Sequence, residues 1–172
     1  MTTLYDLTVP FLISALTAEQ NLLAKAEAHA AEKGTPIAEL LETRLADDMW
    51  PLSQQATIIA LHAGLAMLKL TGTTPPTVNV GPAPLEDCKK YLTEVLEFLK
   101  TIKPESINGK EAEIVGAQAG AGELKMKAVD YVQGYLVPNV LFHVTTTYDI
   151  LRSKGLSLGK KDFISTFLRL AQ

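Results

Sequence analysis

Two histidines stand where amphipathic helices would otherwise place apolar core residues. One series, spaced four, four, three, four and four, is Val132, Leu136, Val140, His143, Thr147 and Leu151. A second series is Ile58, Ile59, His62, Leu65 and Ala66. Because an α-helix repeats every ~3.6 residues, each series forms one face of a helix. The sequence therefore predicts that both imidazoles point inward, and that Asn139, four residues before His143, shares its face.

Inward imidazoles on two helices have two interpretations, and both stay open. Helical bundles hold metals and cofactors between facing helices, and a neutral imidazole is a ligand for zinc, nickel or iron. Asp48 would then complete a set of two histidines and one carboxylate. Alternatively, each histidine is a core residue whose ring bonds a backbone carbonyl or a hydroxyl such as that of Thr146.

The connector RLADDMWPL, residues 44–52, places an aromatic side chain beside two carboxylates. An aspartate, Asp47 or Asp48, could cap the helix that Pro51 opens. Trp50 and Arg44 could instead line the mouth of a pocket. The predicted substrate-binding residues are Arg44, Asp48, Trp50 and Asn139, and the predicted metal ligands are His62 and His143.

Several familiar chemistries are excluded by missing motifs. The sequence has no GxSxG elbow, no phosphate-binding glycine loop and no CxxC pair. Its one cysteine, Cys88, lies on an apolar helical stripe and is predicted to be a packing residue.

The composition limits which binding partners and which cellular compartment are expected for the protein. The net charge of −3, without a basic run, argues against nucleic acid as a partner. A single cysteine cannot form an internal disulfide and fits a reducing cytoplasm. The first residues, MTTLYDL, do not resemble a signal peptide, and no segment was expected to reach the ~20 apolar residues of a membrane-spanning helix. We therefore expect a cytoplasmic protein without a membrane partner.

The chain of 172 residues is predicted to be one domain, 1–172, with an all-α fold. The first helix should run from its cap at Thr3 to about residue 32, with Gly34 as its stop and a kink or broken start at Pro10. Its outward residues are predicted to be Glu19, Lys25 and Glu27.

Three further long helices and one hairpin complete the predicted four-helix bundle. The helices are expected at residues 51–70, 85–102 and 129–154, with a short one after Thr35-Pro36. A β-hairpin is expected at 111–127, before the last long helix, with Leu124 and Met126 on its dry face. The proline-rich segment 71–84 predicts a crossover connection.

Four motifs, LYDLTVP, RLADDMWPL, LVPNVLFHVTTTYDILR and GLSLGKKDF, occur in an order that resembles the DUF1993 family. That family is related to the DinB/YfiT-like helical bundles, many of which hold a divalent metal with three histidines. The resemblance implies that His62 corresponds to the first ligand and His143 to the last. Asn139 stands where the HxxxH pair has its first histidine, and asparagine is the poorer ligand.

Two classes of function remain open. The chain could bind or act on a small molecule in a pocket between helices, with or without a divalent metal. It could instead be a non-catalytic structural or interaction protein whose histidines are core hydrogen-bonding groups. The first is preferred because inward polar groups cost stability unless something satisfies them.

The C-terminal segment bears on assembly. Phe163, Phe167 and Leu170 are predicted to share one face of a short helix, and this face could dock onto the bundle or form a two-fold dimer. DinB-like bundles often pair, so the resemblance implies a homodimer.

Overall fold

The computed structural model describes residues 2–119 and 122–168. Its long helices are α1 Leu4–Lys33, α3 Leu52–Thr71, α4 Leu85–Thr101 and α6 Val137–Ser153. Its short helices are α2 Ile37–Leu41, α5 Ala128–Asp130 and α7 Lys160–Ile164, with 3₁₀ turns at Pro104–Ser106 and Ser165–Phe167. Strands β1 Ile114–Ala119 and β2 Gly122–Lys127 pair antiparallel. The predicted four-helix bundle with a hairpin before the last long helix is confirmed.

The first helix has the predicted ends but not the predicted break. The Thr3 hydroxyl accepts from the Asp6 N–H at 3.2 Å, and the Asp6 carboxylate accepts from the Thr3 N–H at 3.0 Å. This reciprocal pair satisfies two N–H groups of the first turn. Gly34 ends the helix at φ 66°, in the left-handed region. Pro10 lies within an uninterrupted helix, so a broken start was wrong; the cap already holds the turn before it.

Side-chain pairs fix the direction of each long helix. The Cys88 thiol lies 3.7 Å from the Ser53 carbonyl oxygen, and both residues are near the starts of their helices, so α3 and α4 run parallel. Helices α1 and α4 run antiparallel, because Gln20 bonds Thr93 while Glu27 pairs with Lys89. Helix α6 packs against both α1 and α3, on the side of the bundle opposite α4.

The parallel pair α3 and α4 confirms the predicted crossover at residues 72–84. That segment must return along the bundle before α4 can begin. It passes close to α3 at Gly64, where an added Cβ would stand 3.0 Å from the Cβ of Pro75. Gly64 therefore permits a contact that any side chain would obstruct.

Glu19 corrects the prediction for α1. Its side chain is fully buried rather than outward, on the same stripe as Leu12, Leu16 and Leu23. Its Oε1 accepts a hydrogen bond of 2.8 Å from the Thr147 hydroxyl, while Oε2 has no hydrogen-bond partner among the described residues. Burial raises the pKa of this carboxyl to about 8. The carboxyl is therefore mainly protonated at neutral pH.

The last long helix is less regular than its predicted span of 129–154. Helix α5 passes into a π-helical segment, Tyr131–Leu136, before α6 begins with Pro138 in its first turn. A proline cannot donate the backbone hydrogen bond of a helix interior, and the widened segment ahead of it accommodates that loss. In the hairpin, Leu124 is half exposed, so its predicted place on a dry face was wrong.

The C-terminal aromatics pack within the chain. The rings of Phe163 and Phe167 lie 5.5 Å apart, and Phe167 lies 5.8 Å from Phe11 of α1. Lys25 holds α7 through a 2.5 Å ion pair with Asp162. The aromatic surface that motivated a dimer is thus used by the bundle itself. The dimer stays a prediction, and Leu170 lies outside the described residues.

Helix α1 also bears on the membrane prediction. By length and composition it could cross a membrane, with a mean hydropathy of 1.2 in its most apolar stretch, so the expectation that no segment would qualify was wrong. Half of that stretch is buried in the bundle.

Candidate functional site

Helices α3 and α6 run antiparallel, because Gln55 of α3 bonds His143, while His62, two turns later on α3, contacts Tyr135, which precedes α6. Their packing brings His62 and His143 side by side. Their ring centroids are 5.8 Å apart and the ring planes differ by 24°. His143 is only 8% exposed, and His62 is half-buried. Inward positions on two neighbouring helices therefore meet at one site, as the periodicity of each helix predicts.

Gln55 orients His143. The Gln55 amide nitrogen donates to the Trp50 carbonyl at 3.0 Å, so its oxygen is the atom that faces Nδ1 of His143, at 2.7 Å. An amide oxygen only accepts, so Nδ1 must carry the proton. Nε2 of His143 is then left with its lone pair and has no hydrogen-bond partner in the described part of the chain. Two buried side-chain polar atoms of the described residues lack a hydrogen-bond partner, Glu19 Oε2 and Thr166 Oγ1. Nε2 of His143 is not one of these buried atoms.

Both imidazoles are neutral at physiological pH. Burial, with a smaller contribution from His62, lowers the pKa of His143 to about 4. Burial also lowers the pKa of His62. Desolvation disfavours the charged imidazolium, and a second imidazole nearby adds to that cost. At pH 7 the site therefore presents lone pairs rather than positive charge.

A cleft of about 260 Å³ opens over His143. The residues that line it are Asp48, Met49, Trp50, Gln55, Phe142 and His143. The indole of Trp50 lies parallel to the imidazole, with centroids 5.9 Å apart and planes within 10°. Phe142 meets the same imidazole edge-on, at 5.3 Å and 85°. Two aromatic walls thus flank a buried hydrogen-bond acceptor.

The connector 44–52 supplies one side of this cleft. Arg44 donates from Nη1 to the Met49 carbonyl at 2.6 Å, which closes the loop on itself and uses one of the five guanidinium donors. Pro51 stands at the N-cap of α3 without a side-chain cap, so the predicted capping by Asp47 or Asp48 was wrong. Asp48 instead lines the cleft, whereas Arg44 does not.

Asn139 does not line the cleft. Its side-chain nitrogen donates to the Tyr135 carbonyl of the preceding turn at 2.7 Å. This hydrogen bond ties the Asn139 amide to the π-helical segment, where backbone carbonyls lose their regular partners. The structure therefore brings together His62, His143, Trp50 and Asp48, and leaves Asn139 and Arg44 in local hydrogen bonds.

A three-histidine metal centre does not fit these residues. No group of three or more His, Cys, Asp or Glu side chains placed to hold a metal occurs in residues 2–119 and 122–168. The two imidazoles could approach one ion, since rings that share a metal at ~2.1 Å have centroids roughly 5 Å apart. A third nitrogen is missing because the position before His143 on this face is an asparagine.

Sequence reasoning missed Gln55, Met49 and Phe142. Gln55 had a usable signal, because it precedes His62 by seven residues and so lies two turns earlier on the same helical face. Phe142 had none, since it lies beside His143 on a more exposed part of α6, at 56% exposure.

The chain matches one known family, and its fold resembles that of a solved structure. The model of the family described as "Domain of unknown function (DUF1993)" matches residues 4–164. A crystal structure of a DinB family member protein from Shewanella denitrificans resembles the chain with a TM-score of 0.83 and 28% sequence identity. That likeness covers 98% of this chain and 96% of the other. No curated protein matches the sequence.

Proposed function

Since the chain belongs to the DUF1993 family and has a DinB-like fold, we propose that it binds a small organic molecule in the cleft over His143. The ligand places an apolar or aromatic group between Trp50 and Phe142. It donates one hydrogen bond, from an O–H or N–H group, to Nε2 of His143. Small-molecule sites commonly combine apolar walls with a few oriented polar groups in this way.

One observation carries this proposal: Gln55 holds the proton on Nδ1 and leaves Nε2 as an acceptor. A histidine that served only as a core hydrogen-bonding group would have both nitrogens satisfied, because an unpaired buried acceptor costs ~1–3 kcal/mol. Here Nε2 has no partner among the described residues, yet it belongs to a residue that lines an open cleft.

The electrostatics favour binding over proton transfer. A general base works best when its pKa lies near the operating pH. The pKa of His143 is lowered to about 4, so its imidazole accepts a hydrogen bond readily but is a weak proton acceptor at pH 7. We therefore place ligand recognition first among the functions of this site.

Trp50 makes the proposal testable because it is the only tryptophan in the chain. Its single indole N–H resonance in proton NMR should shift on titration with phenol, which has a ring and an O–H donor. Anisole, with the same ring but no donor, should bind on the order of tenfold more weakly for want of one hydrogen bond.

A His143→Phe variant provides the matched control, since it keeps a ring beside Trp50 but removes the acceptor. In that variant phenol and anisole should bind alike. Equal binding of the two compounds to the unaltered protein, or no shift with either, would contradict the proposal.

Metal binding by the two histidines, without a third histidine at position 139, is tested by a separate measurement. Asn139→His restores an HxxxH pair, and this variant should bind zinc more tightly than the unaltered chain in a competition titration with a chelator. A stoichiometric transition metal in the unaltered protein, retained through dialysis, would show that two histidines suffice and that a metal belongs to the site.

The second candidate is a non-catalytic structural role. It is favoured by the chain of bonds from His143 through Gln55 to the Trp50 carbonyl, which ties α6, α3 and the connector together. In that case His143→Phe would lower the free energy of unfolding and none of the small compounds would shift the Trp50 resonance.

A further inference from the structure

The aromatic walls of the cleft form a corner. The Trp50 plane lies within 10° of the His143 plane, whereas the Phe142 plane is turned by 85° from it. The two walls therefore stand nearly at right angles to each other. Trp50 is 43% and Phe142 56% exposed, so both rings remain open to a ligand. The face of an aromatic ring carries partial negative charge and attracts cations.

A carboxylate stands at the same cleft. Asp48 lines it and makes no hydrogen bond or ion pair within the described residues. Arg44, the basic residue of the same connector, is bound to the Met49 carbonyl and does not line the cleft. The imidazole at its base is neutral at pH 7, so Asp48 is the one lining residue with a formal charge.

We propose that the ligand is an organic cation, an alkylated ammonium whose positive group lies in the corner of Trp50 and Phe142 beside the carboxylate of Asp48. An alkylated ammonium fits this combination for two reasons. Its charge is diffuse and weakly hydrated, so it loses little solvation between two rings. Its alkyl groups contact the rings and Met49, which is a soft, polarizable surface.

This inference rests on the proposed function, because the ligand's other end must still reach Nε2 of His143. A hydroxyl or N–H group within a few bonds of the ammonium meets that requirement. The expected ligand class is therefore a small amino alcohol, or a similar molecule with one cation and one donor.

Choline can be compared with its neutral carbon isostere, in which a tert-butyl group replaces the trimethylammonium group. This pair separates the cation inference from the proposed binding function. They share shape and hydroxyl and differ in charge. Followed by the Trp50 resonance at low ionic strength, choline should bind on the order of tenfold more tightly than the isostere. Tetramethylammonium, a cation without a donor, should bind less tightly than choline.

Two variants locate the charge preference. Asp48→Asn should reduce the roughly tenfold preference for choline to a few-fold, the part that the two rings supply, while Asp47→Asn, an exposed neighbour that does not line the cleft, should leave it unchanged. Phe142→Leu should weaken choline more than the isostere, and Phe142→Tyr should not.

The outcomes are distinguishable. Equal binding of choline and its isostere, both dependent on His143, would overturn the cation inference and leave the binding function standing. No shift with any of the compounds, phenol included, would overturn both. An undiminished choline preference in Asp48→Asn would show that the carboxylate does not select the charge.

Discussion

Two of the buried polar residues of helix α6 lie one turn apart, and they face different environments. His143 meets Gln55 of α3 and lines a cleft that is open to solvent. Thr147 contacts Glu19 of α1 in the buried interior, where one carboxyl oxygen has no partner within residues 2–119 and 122–168. A polar group that reaches a cleft can serve a ligand, whereas one enclosed by the core acts on stability through its protonation.

The two sites respond to pH in opposite directions. The folded-state pKa of Glu19 lies above its ordinary value, so its contribution to stability is complete below pH 4.5 and is lost as pH rises through about 8. The folded-state pKa of His143 lies below its ordinary value, so its contribution is complete above pH 6.5 and is lost as pH falls towards about 4.

The largest expected effect concerns Glu19. Ionisation of Glu19 should remove about 4 kcal/mol from the free energy of unfolding between pH 5 and pH 9, because a raised pKa costs ~1.4 kcal/mol per unit once the group ionises. Glu19→Gln mimics the protonated acid and should flatten this fall in urea unfolding curves. Glu32→Gln, an exposed change on the same helix, should leave the fall in place. If the free energy of unfolding of Glu19→Gln fell with pH as steeply as that of the unaltered protein, Glu19 would not be the group that causes the fall.

The next effect concerns His143 at acid pH. Lowering the pH from 7 to 4 should remove about 3 kcal/mol of stability through protonation of this imidazole, and His143→Phe should remove this part of the pH dependence. Binding of phenol should persist at pH 5.5 and decline as pH approaches 4, because protonation converts Nε2 from an acceptor to a donor. A decline centred on pH 6.5 in the NMR titration would mean that burial does not govern this ring.

Gln55→Leu should cost about 2 kcal/mol, since it leaves Nδ1 of His143 and the Trp50 carbonyl without their partner. Gln54→Leu, the same change at the neighbouring half-buried position, provides the control and should cost less. Urea unfolding of the two variants makes the comparison. Equal costs would show that the Gln55 side chain does not hold the cleft together.

The smallest effect is expected at Trp50. Trp50→Phe keeps a ring over His143 and alters a side chain that is 43% exposed, so stability should change by less than about 0.5 kcal/mol. Binding of choline should nevertheless weaken several-fold, measured by calorimetry, because indole is the stronger cation-binding ring. A large loss of stability with unchanged binding would instead assign Trp50 a structural role.

Helical periodicity predicted the long helices and the inward faces of His62 and His143, because these depend on local spacing alone; that the two rings meet depends also on how α3 packs on α6. The prediction failed at Glu19, where charge indicated solvent although the spacing matches Leu16 and Leu23. The spacing was the better guide, since burial neutralises the carboxyl. The corner of Trp50 and Phe142 could not be predicted, because it depends on how a connector and a helix meet in space.

The crossover also determines when the fold can form during synthesis. Helix α1 does not find its main partner in α3, the next long helix made; it packs chiefly on α4 and α6. Its apolar stripe must therefore wait until the second half of the chain has left the ribosome. Contacts between segments distant in sequence close slowly, because the intervening chain must first give up its freedom. An N-terminal fragment ending before α4 would leave much of the apolar stripe of α1 uncovered, the condition under which nascent chains aggregate or recruit chaperones.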